Sequence, residues 1–114
     1  MTNNEVQFPI GRLHATAGAV AVIPAVEMFQ AIIRHVQGDW GCVEKADHKH
    51  NDEALCLGGR LWSAYKTQDG IRFLVVTHLK HAETTVMLPC EFSQWRDAWL
   101  PRCLMRLIGG FGHE

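Results

Sequence analysis

The sequence has no recognisable secretory or membrane-spanning segment. Residues 1–7 are polar and contain no basic stretch followed by an apolar one, which a signal peptide requires. The longest apolar run, residues 15–29, is interrupted by Gly18, Pro24 and Glu27 and is shorter than the about 20 apolar residues that cross a bilayer. We therefore expect a cytoplasmic protein that does not associate with a membrane.

Closely spaced cysteine pairs are also missing. The four cysteines are scattered along the chain at Cys42, Cys56, Cys90 and Cys103. Outside an oxidising compartment such residues are expected to be reduced thiols, most of them buried. None has the local sequence of a catalytic thiol, so nucleophilic cysteine chemistry is not predicted.

A zinc site is the alternative role for two of these cysteines. Cys42 and Cys56 flank His48 and His50 in a symmetric array. Zinc ligands usually come in pairs about two to five residues apart, and this array does not provide such pairs. On a helix His48 and His50 would also point about 200° apart, so they could not face one ion. We expect neither a metal nor another cofactor.

The chain has no excess of charge of either sign. Its 11 Lys and Arg and 12 Asp and Glu give a formal net charge of −1, which argues against binding nucleic acid through a broad cationic face. A nuclease with a local basic cleft is still compatible with this balance. With 114 residues, 47% of them apolar, the chain can form one hydrophobic core, and we expect a single domain over residues 1–114.

Helical patterns dominate the first half of the chain. A strand is predicted from Val6 to His14, followed by a turn over residues 15–18. Apolar residues recur at helical spacing from Pro24 to Val36, which predicts a helix. A more polar helix is predicted from about Glu44 to Leu57, and the two glycines that follow would end it.

The second half is predicted to be mostly strand. The predicted elements are strands over residues 60–67 and 71–78 joined by a turn at 68–70, a third strand from Thr84 to Leu88, and a helix over 93–108 that Pro101 interrupts. The order is β-α-α-β-β-β-α. This order is typical of an α+β domain, with helices packed on one face of a mostly antiparallel sheet.

The most unusual residues lie together in the turn after the first predicted helix, within residues 34–41. A helix that ends at Gly38 does not require Asp39 and Trp40 after it. If His35 faces the turn, the Asp39 carboxylate could fix the imidazole tautomer and leave one nitrogen as a general base. The alternative is structural, with His35 at the helix C-terminus, Asp39 closing an Asx turn and Trp40 filling the core.

A neighbouring strand adds further polar candidates. Arg60, Ser63 and Tyr65 could supply a phosphate-binding cation and hydroxyl groups beside the base His35. Together with Asp39, this set would form a metal-independent ribonuclease site. Trp40 and Ser63 are also candidate binding residues.

Threonines on the later strands extend this polar set. Thr77, Thr84 and Thr85 could line a polar pocket together with Ser63. The alternative is that threonine is present only because it favours strands.

The C-terminal segment combines aromatic and basic residues. Arg96, Arg102 and Arg106 accompany Trp95 and Trp99. Such a segment could bind RNA by stacking and phosphate contacts, or could bind a partner protein through its tryptophans. The alternative is an amphipathic helix that buries both tryptophans on the sheet, although an apolar terminal helix is also a natural dimer surface.

Six short motifs stand out along the chain: Thr16-x-Gly18-Ala19, His35-Val36-x-Gly38-Asp39-Trp40-Gly41, Asn51-x-x-Ala54-Leu55, Arg60-Leu61-x-Ser63-Ala64-Tyr65, Asp69-Gly70 and Thr84-Thr85-x-x-Leu88-Pro89. Together they resemble a family of small uncharacterised bacterial proteins, often carried on plasmids and other mobile elements. The resemblance covers about residues 11–92, and the His-x-x-Gly-Asp-Trp-Gly motif is its most specific part. It implies a mobile-element gene and no particular activity.

The order of the elements also resembles that of the RelE/ParE toxins and, more loosely, of barnase-like ribonucleases. Two hypotheses follow. The first is a non-catalytic module that binds a partner protein or a second copy of itself. The second is a small ribonuclease that uses His35, Asp39, Arg60 and Tyr65. The lack of a catalytic signature, the near-neutral charge and the tryptophans of the C-terminal segment favour the first. The order of the elements and the resemblance to mobile-element proteins favour the second.

Overall fold

The structure, a computed structural model, describes residues 5–92. Its elements are β1 (Arg12–Ala15), α1 (Ala17–Val22), α2 (Ala25–Val36), α3 (Lys45–Leu57), β2 (Arg60–Lys66), β3 (Arg72–His78) and β4 (Glu83–Met87). A 3-10 turn (Leu79–His81) connects β3 to β4, and residues 89–92 are helical. No helix within residues 5–92 has the length and apolar character that a membrane crossing requires.

The four strands form one mixed sheet in the order β1-β4-β3-β2. β2 and β3 are an antiparallel hairpin, β3 and β4 are antiparallel, and β1 lies parallel to β4 at the edge. The sheet and its helices make an α+β fold, which confirms the predicted fold class. The predicted hairpin and its turn at residues 68–70 are also confirmed.

Strand side chains alternate between the two faces of the sheet, and the helices pack on one of these faces. The larger core cluster joins buried residues of α1 and α2 to the sheet: Ala19, Ile23, Ala31, Ile32, Tyr65, Phe73, Val75 and Val86. A second cluster surrounds Leu61 and contains Phe8, Val36, Trp40 and Ala54, so α3 lies on the same face. On the opposite face, Val76 and Met87 are buried with Trp62, Leu74 and Phe92 packed around them.

The first strand is shorter than predicted. It begins at Arg12 and not at Val6, and it extends one residue past His14. Phe8 is buried in the second core cluster, and proline at position 9 has no amide proton for a ladder. At Gly11, where φ is +69°, a Cβ atom would lie 2.0 Å from the carbonyl oxygen of Ala82. The chain therefore bends here and becomes a strand only after this close approach.

The predicted turn over residues 15–18 is wrong, because α1 begins there. Thr16 is the N-cap, and its hydroxyl accepts a hydrogen bond from the amide of Ala19 over 3.0 Å. A threonine at this position satisfies one of the amides that a first helical turn leaves without a partner. The described chain thus has one more helix before β2 than the predicted order contained.

The other predicted bounds are close to the observed ones. Pro24 and Glu44 are N-caps, so α2 and α3 each begin one residue later than predicted. The third strand is Glu83–Met87 and not Thr84 to Leu88. The cysteines at positions 42, 56 and 90 are exposed, so the expectation of mostly buried thiols is wrong for them. The predicted helix over 93–108 lies outside the described residues.

Candidate functional site

The turn that follows α2 pairs with the edge of the sheet. It passes through Gly38 and Gly41, whose φ angles are +83° and +72°. The amide of Cys42 donates to the carbonyl of Ala64 over 2.8 Å, and the amide of Ala64 donates to the carbonyl of Trp40 over 3.1 Å. A Cβ atom at Gly41 would lie 2.0 Å from the Ala64 oxygen. Glycine at this position therefore permits the turn to pair with β2.

Asp39 holds this turn closed. Its carboxylate accepts hydrogen bonds from Arg34, with Nε–Oδ2 at 2.8 Å and Nη2–Oδ1 at 3.2 Å, and from the amide of Gly41 over 3.2 Å. The Tyr65 phenol donates to the carbonyl of Asp39 over 2.6 Å, and the Arg34 guanidinium lies 4.8 Å from the centre of the Tyr65 ring. The Arg34 hydrogen bond lowers the pKa of Asp39 and raises the pKa of Arg34. Burial raises the pKa of Tyr65, so the phenol stays protonated.

His35 is completely buried, with an exposed fraction of 0%. Its Nδ1 atom lies 2.6 Å from the Ser63 hydroxyl, and its Nε2 atom lies 2.8 Å from the Thr77 hydroxyl. The rings of Phe8 and Trp40 pack edge-on against the imidazole, with centroid distances of 5.2 and 5.7 Å. Burial lowers the pKa of His35 from 6.5 to about 3, so the ring is neutral at pH 7.

A chain of hydroxyl groups fixes which nitrogen of His35 carries the proton. The Thr84 hydroxyl donates to the carbonyl of Ile10 over 2.7 Å, so its oxygen accepts from the Thr77 hydroxyl, 2.8 Å away. The Thr77 oxygen in turn accepts from Nε2–H of His35, which leaves Nδ1 to accept from the Ser63 hydroxyl. Every proton of this buried chain is used in a hydrogen bond. The arrangement connects α2, β2, β3, β4 and the segment before β1.

Side chains of α3 form hydrogen bonds with further backbone groups at the outer edge of β2. The Asn51 amide, which is 0% exposed, donates to the carbonyl of Trp62 over 2.6 Å and accepts from its amide over 3.1 Å. Nε2 of His50 lies 2.9 Å from the carbonyl oxygen of Arg60. Together with the turn that pairs with Ala64, these contacts cover the outer edge of β2 at three alternate residues. A covered edge cannot add a strand from another molecule.

The four predicted catalytic residues do not form one cleft. The expected pairing of His35 with Asp39 is not formed, because the His35 side chain lies in the core whereas Asp39 is on the surface. Arg60 lies on the opposite face of β2 from Ser63 and Tyr65, since strand residues an odd number of positions apart point to opposite faces. The structure brings together His35 with Ser63, and Asp39 with Tyr65.

The predicted binding residues fall into two groups. Trp40 and Ser63 are 2% and 0% exposed and belong to the interior. The indole nitrogen of Trp40 lies 3.3 Å from Oδ1 of Asp52. The candidates Trp95, Trp99 and Arg102 lie outside the described residues.

The roles of Arg34, which binds Asp39, and of Asn51, which binds the backbone of Trp62, were not predicted from the sequence. The signal for Arg34 was its place in the last turn of a helix, five residues before an acid that follows the helix. The signal for Asn51 was weaker: it shares a helical face with Ala54 and Leu55, the few apolar residues of α3. A polar side chain on the apolar face of a helix needs a buried partner, which β2 provides.

Two hollows on the described surface are small. One, of about 290 Å³, lies beside β1 and is lined by His14, Thr16, Glu83 and Thr85 among others. The other, of about 100 Å³, lies between α2 and β2 next to Arg34. Ligand sites typically measure about 300–1,000 Å³. Within residues 5–92, no three His, Cys, Asp or Glu side chains are placed to hold a metal ion.

An apolar surface lies on the outer side of the helices. Val26, Phe29 and Ile33 of α2 are 66%, 56% and 55% exposed, and their spacing of three and four residues places them in one line along the helix, the apolar stripe. Val20 and Val22 of α1, just before it in the chain, are 61% and 43% exposed. A surface helix normally turns polar residues to solvent, so this apolar stripe is typical of an interaction surface.

Neither a protein-family model, nor a curated protein, nor a solved structure matches this chain.

Proposed function

We propose that the protein is a non-catalytic protein-interaction module, an accessory protein of a bacterial mobile element that acts in the cytoplasm. The observation that carries this proposal is the apolar stripe of Val26, Phe29 and Ile33 on the outer side of α2. Burying half-exposed side chains of this kind against a partner is favourable, and leaving them in water gives a soluble domain no advantage.

The chemistry of the polar residues supports the same proposal. A general base needs access to its substrate and a lone pair that is not already used. Both nitrogens of His35 are hydrogen-bonded inside the core. The low pKa keeps the ring neutral, but the ring is buried and has no access to a substrate. The Asp39 carboxylate is bound by Arg34 and by a backbone amide. These residues stabilise the fold, so the ribonuclease hypothesis has no described cleft that favours it.

Site-specific photocrosslinking in the bacterial host tests the proposal. A photoreactive amino acid replaces Phe29 in one strain and Leu57 in another, because Leu57 is an apolar residue that is 79% exposed on α3 and lies outside the stripe. We expect a discrete protein crosslink from position 29 and none from position 57. Equal or absent crosslinking at the two positions would contradict an interaction through α2.

The same host tests the ribonuclease alternative. Induction of the native chain is expected to leave growth and total RNA intact. Cleavage of RNA by the native chain, together with its loss in a folded His35→Gln variant, would overturn the non-catalytic proposal in favour of the enzyme.

A further inference from the structure

The outer surface of α1 and α2 carries almost no charge. Residues 15–33 contain a single ionisable side chain, Glu27, and its carboxylate accepts a hydrogen bond from the amide of Gln68 over 2.7 Å. The exposed polar neighbours of Val26, Phe29 and Ile33 are Gln30, which is uncharged, and Arg34, whose guanidinium is paired with Asp39. The stripe itself is therefore apolar and uncharged.

This composition decides which class of partner the stripe fits. Helices that bind a membrane surface or a nucleic acid carry Lys or Arg on the contacting surface, and residues 15–33 contain neither. The described chain ends at Phe92, whose ring packs 5.4 Å from Trp62 on the face of the sheet opposite to α2. Residues 93–114 are the alternative occupant, which crosslinking within one chain would reveal. The composition of the stripe fits an apolar protein surface.

We propose that this occupant is the same stripe of a second copy of the chain, packed antiparallel across a two-fold axis near Phe29. The inference rests on the proposed interaction function and names its partner. The stripe is nearly symmetric about its centre: Phe29 has the β-branched Val26 three residues before it and the β-branched Ile33 four residues after it. An antiparallel pair places Phe29 against its own copy and Val26 against Ile33 of the second copy. Spacing of three and four residues is that of a coiled-coil seam.

A two-fold contact also brings each side chain near the axis close to its own copy. A charged residue in the stripe would meet the same charge, and the stripe has none. Gln30, next to Phe29, has a side-chain amide that both donates and accepts, so two copies can hydrogen-bond to each other. The chemistry of the stripe is thus self-complementary.

The available area sets the expected strength. The stripe comprises three side chains that are 55–66% exposed, which amounts to roughly 300 Å² of apolar surface per copy, at the lower end of functional patches. Two such surfaces with a polar rim stay below the about 1,200 Å² of stable interfaces. We therefore expect a weak, reversible dimer with a Kd in the upper micromolar range.

Sedimentation of the full chain over about 1–300 µM, which brackets a micromolar Kd, tests this pairing. The native chain is expected to shift from its monomer mass of 12.9 kDa towards twice that value. Phe29→Asp and Phe29→Lys are each expected to stay monomeric with native circular dichroism, and Leu57→Asp to dimerise like the native chain. An equal mixture of the two Phe29 variants is expected to recover dimerisation, because opposite charges meet at the axis.

The outcomes separate this inference from the proposed function. A dimer that persists in both Phe29 variants, or a mixture that stays monomeric, overturns the antiparallel α2 pairing. A native chain that is monomeric throughout, while position 29 crosslinks to a different protein, overturns the second copy and leaves the interaction function standing. A monomer whose position 29 crosslinks only within its own chain, to residues 93–114, overturns both.

Discussion

Replacing His35 by a side chain that does not titrate is expected to remove a specific part of the acid sensitivity of the protein. In the folded state burial lowers the pKa of His35 to about 3, whereas in the unfolded chain it has its ordinary value of 6.5. Below pH 6.5 the unfolded state therefore binds a proton that the folded state does not. The stabilising contribution of the neutral ring is complete above pH 6.5 and decreases as the pH falls towards 3.

The size of the effect follows from the difference between the two pKa values. Each pKa unit corresponds to about 1.4 kcal/mol, so lowering the pH from 7 to 5 is expected to cost about 2 kcal/mol of unfolding free energy through His35. The carboxyl group of Asp39, whose pKa is lowered from 3.8 by Arg34, contributes only at more acidic pH. The interval from pH 7 to pH 5 therefore isolates the histidine.

Urea unfolding of the native chain and of His35→Gln at pH 7 and pH 5 measures this contribution. The two proteins share every other ionisable group, so the difference between their pH dependences belongs to His35. His14→Gln is the matched control, because His14 is exposed on β1 and lies outside the buried chain of hydroxyl groups. In the native chain, the imidazole resonances of His35 should not shift in NMR spectra from pH 7 to pH 5. The buried neutral ring would be refuted by a native protein that loses no more unfolding free energy between pH 7 and pH 5 than His35→Gln does. A His35 resonance that titrates near pH 6 would refute it as well.

Three further variants test the contacts of the turn and of the β2 edge by urea unfolding at pH 7. Gly41→Ala should lower the unfolding free energy by at least about 3 kcal/mol, since φ is +72° and the added Cβ atom would lie too close to the Ala64 oxygen. Gly70→Ala is the control, because Gly70 has φ +91° but open space around it, and it should cost only about 1–2 kcal/mol. Equal losses in the two variants would contradict the close approach at Gly41. Asn51→Ala should cost about 2–4 kcal/mol because two buried backbone groups lose their partners, and a loss no larger than that of the exposed Glu53→Ala, about 0.5 kcal/mol, would contradict it. Asp39→Asn should cost less than about 1 kcal/mol, because the pair with Arg34 is half-exposed, and a larger loss would show that Asp39 has a role beyond this surface pair.

The α+β class and most element bounds could be predicted because local patterns determine them. The helical spacing of α2, the glycines after α3 and the turn between β2 and β3 are all local signals. α1 could not be recognised by periodicity, because its six residues are all Ala, Val or Gly and give no polar face. Its signal was the threonine N-cap at Thr16, within the segment for which a turn was predicted.

The role of the polar residues could not be predicted, because it depends on contacts between distant parts of the chain. His35 and Thr77 are 42 residues apart, and Asn51 and Trp62 belong to different elements. Nothing in the sequence near His35 shows that its partners are the hydroxyls of Ser63 and Thr77 and not the carboxylate of Asp39. In contrast, the placement of Arg60 on the other face follows from strand alternation alone, since 60 differs from 63 and 65 by an odd number.

The contacts of α2 on its inner side explain how its outer side can serve as an interaction surface. His35 joins the helix to β2 and β3, and Arg34 joins it through Asp39 to the turn that pairs with β2. A helix held in this way presents Phe29 and its neighbours in a fixed geometry, which lowers the ordering cost of association. The same turn and Asn51 cover the outer edge of β2, so strand addition at that edge is blocked. The residues that look most like an enzyme site in the sequence thus stabilise the helix that carries the proposed interaction surface, which contains none of them.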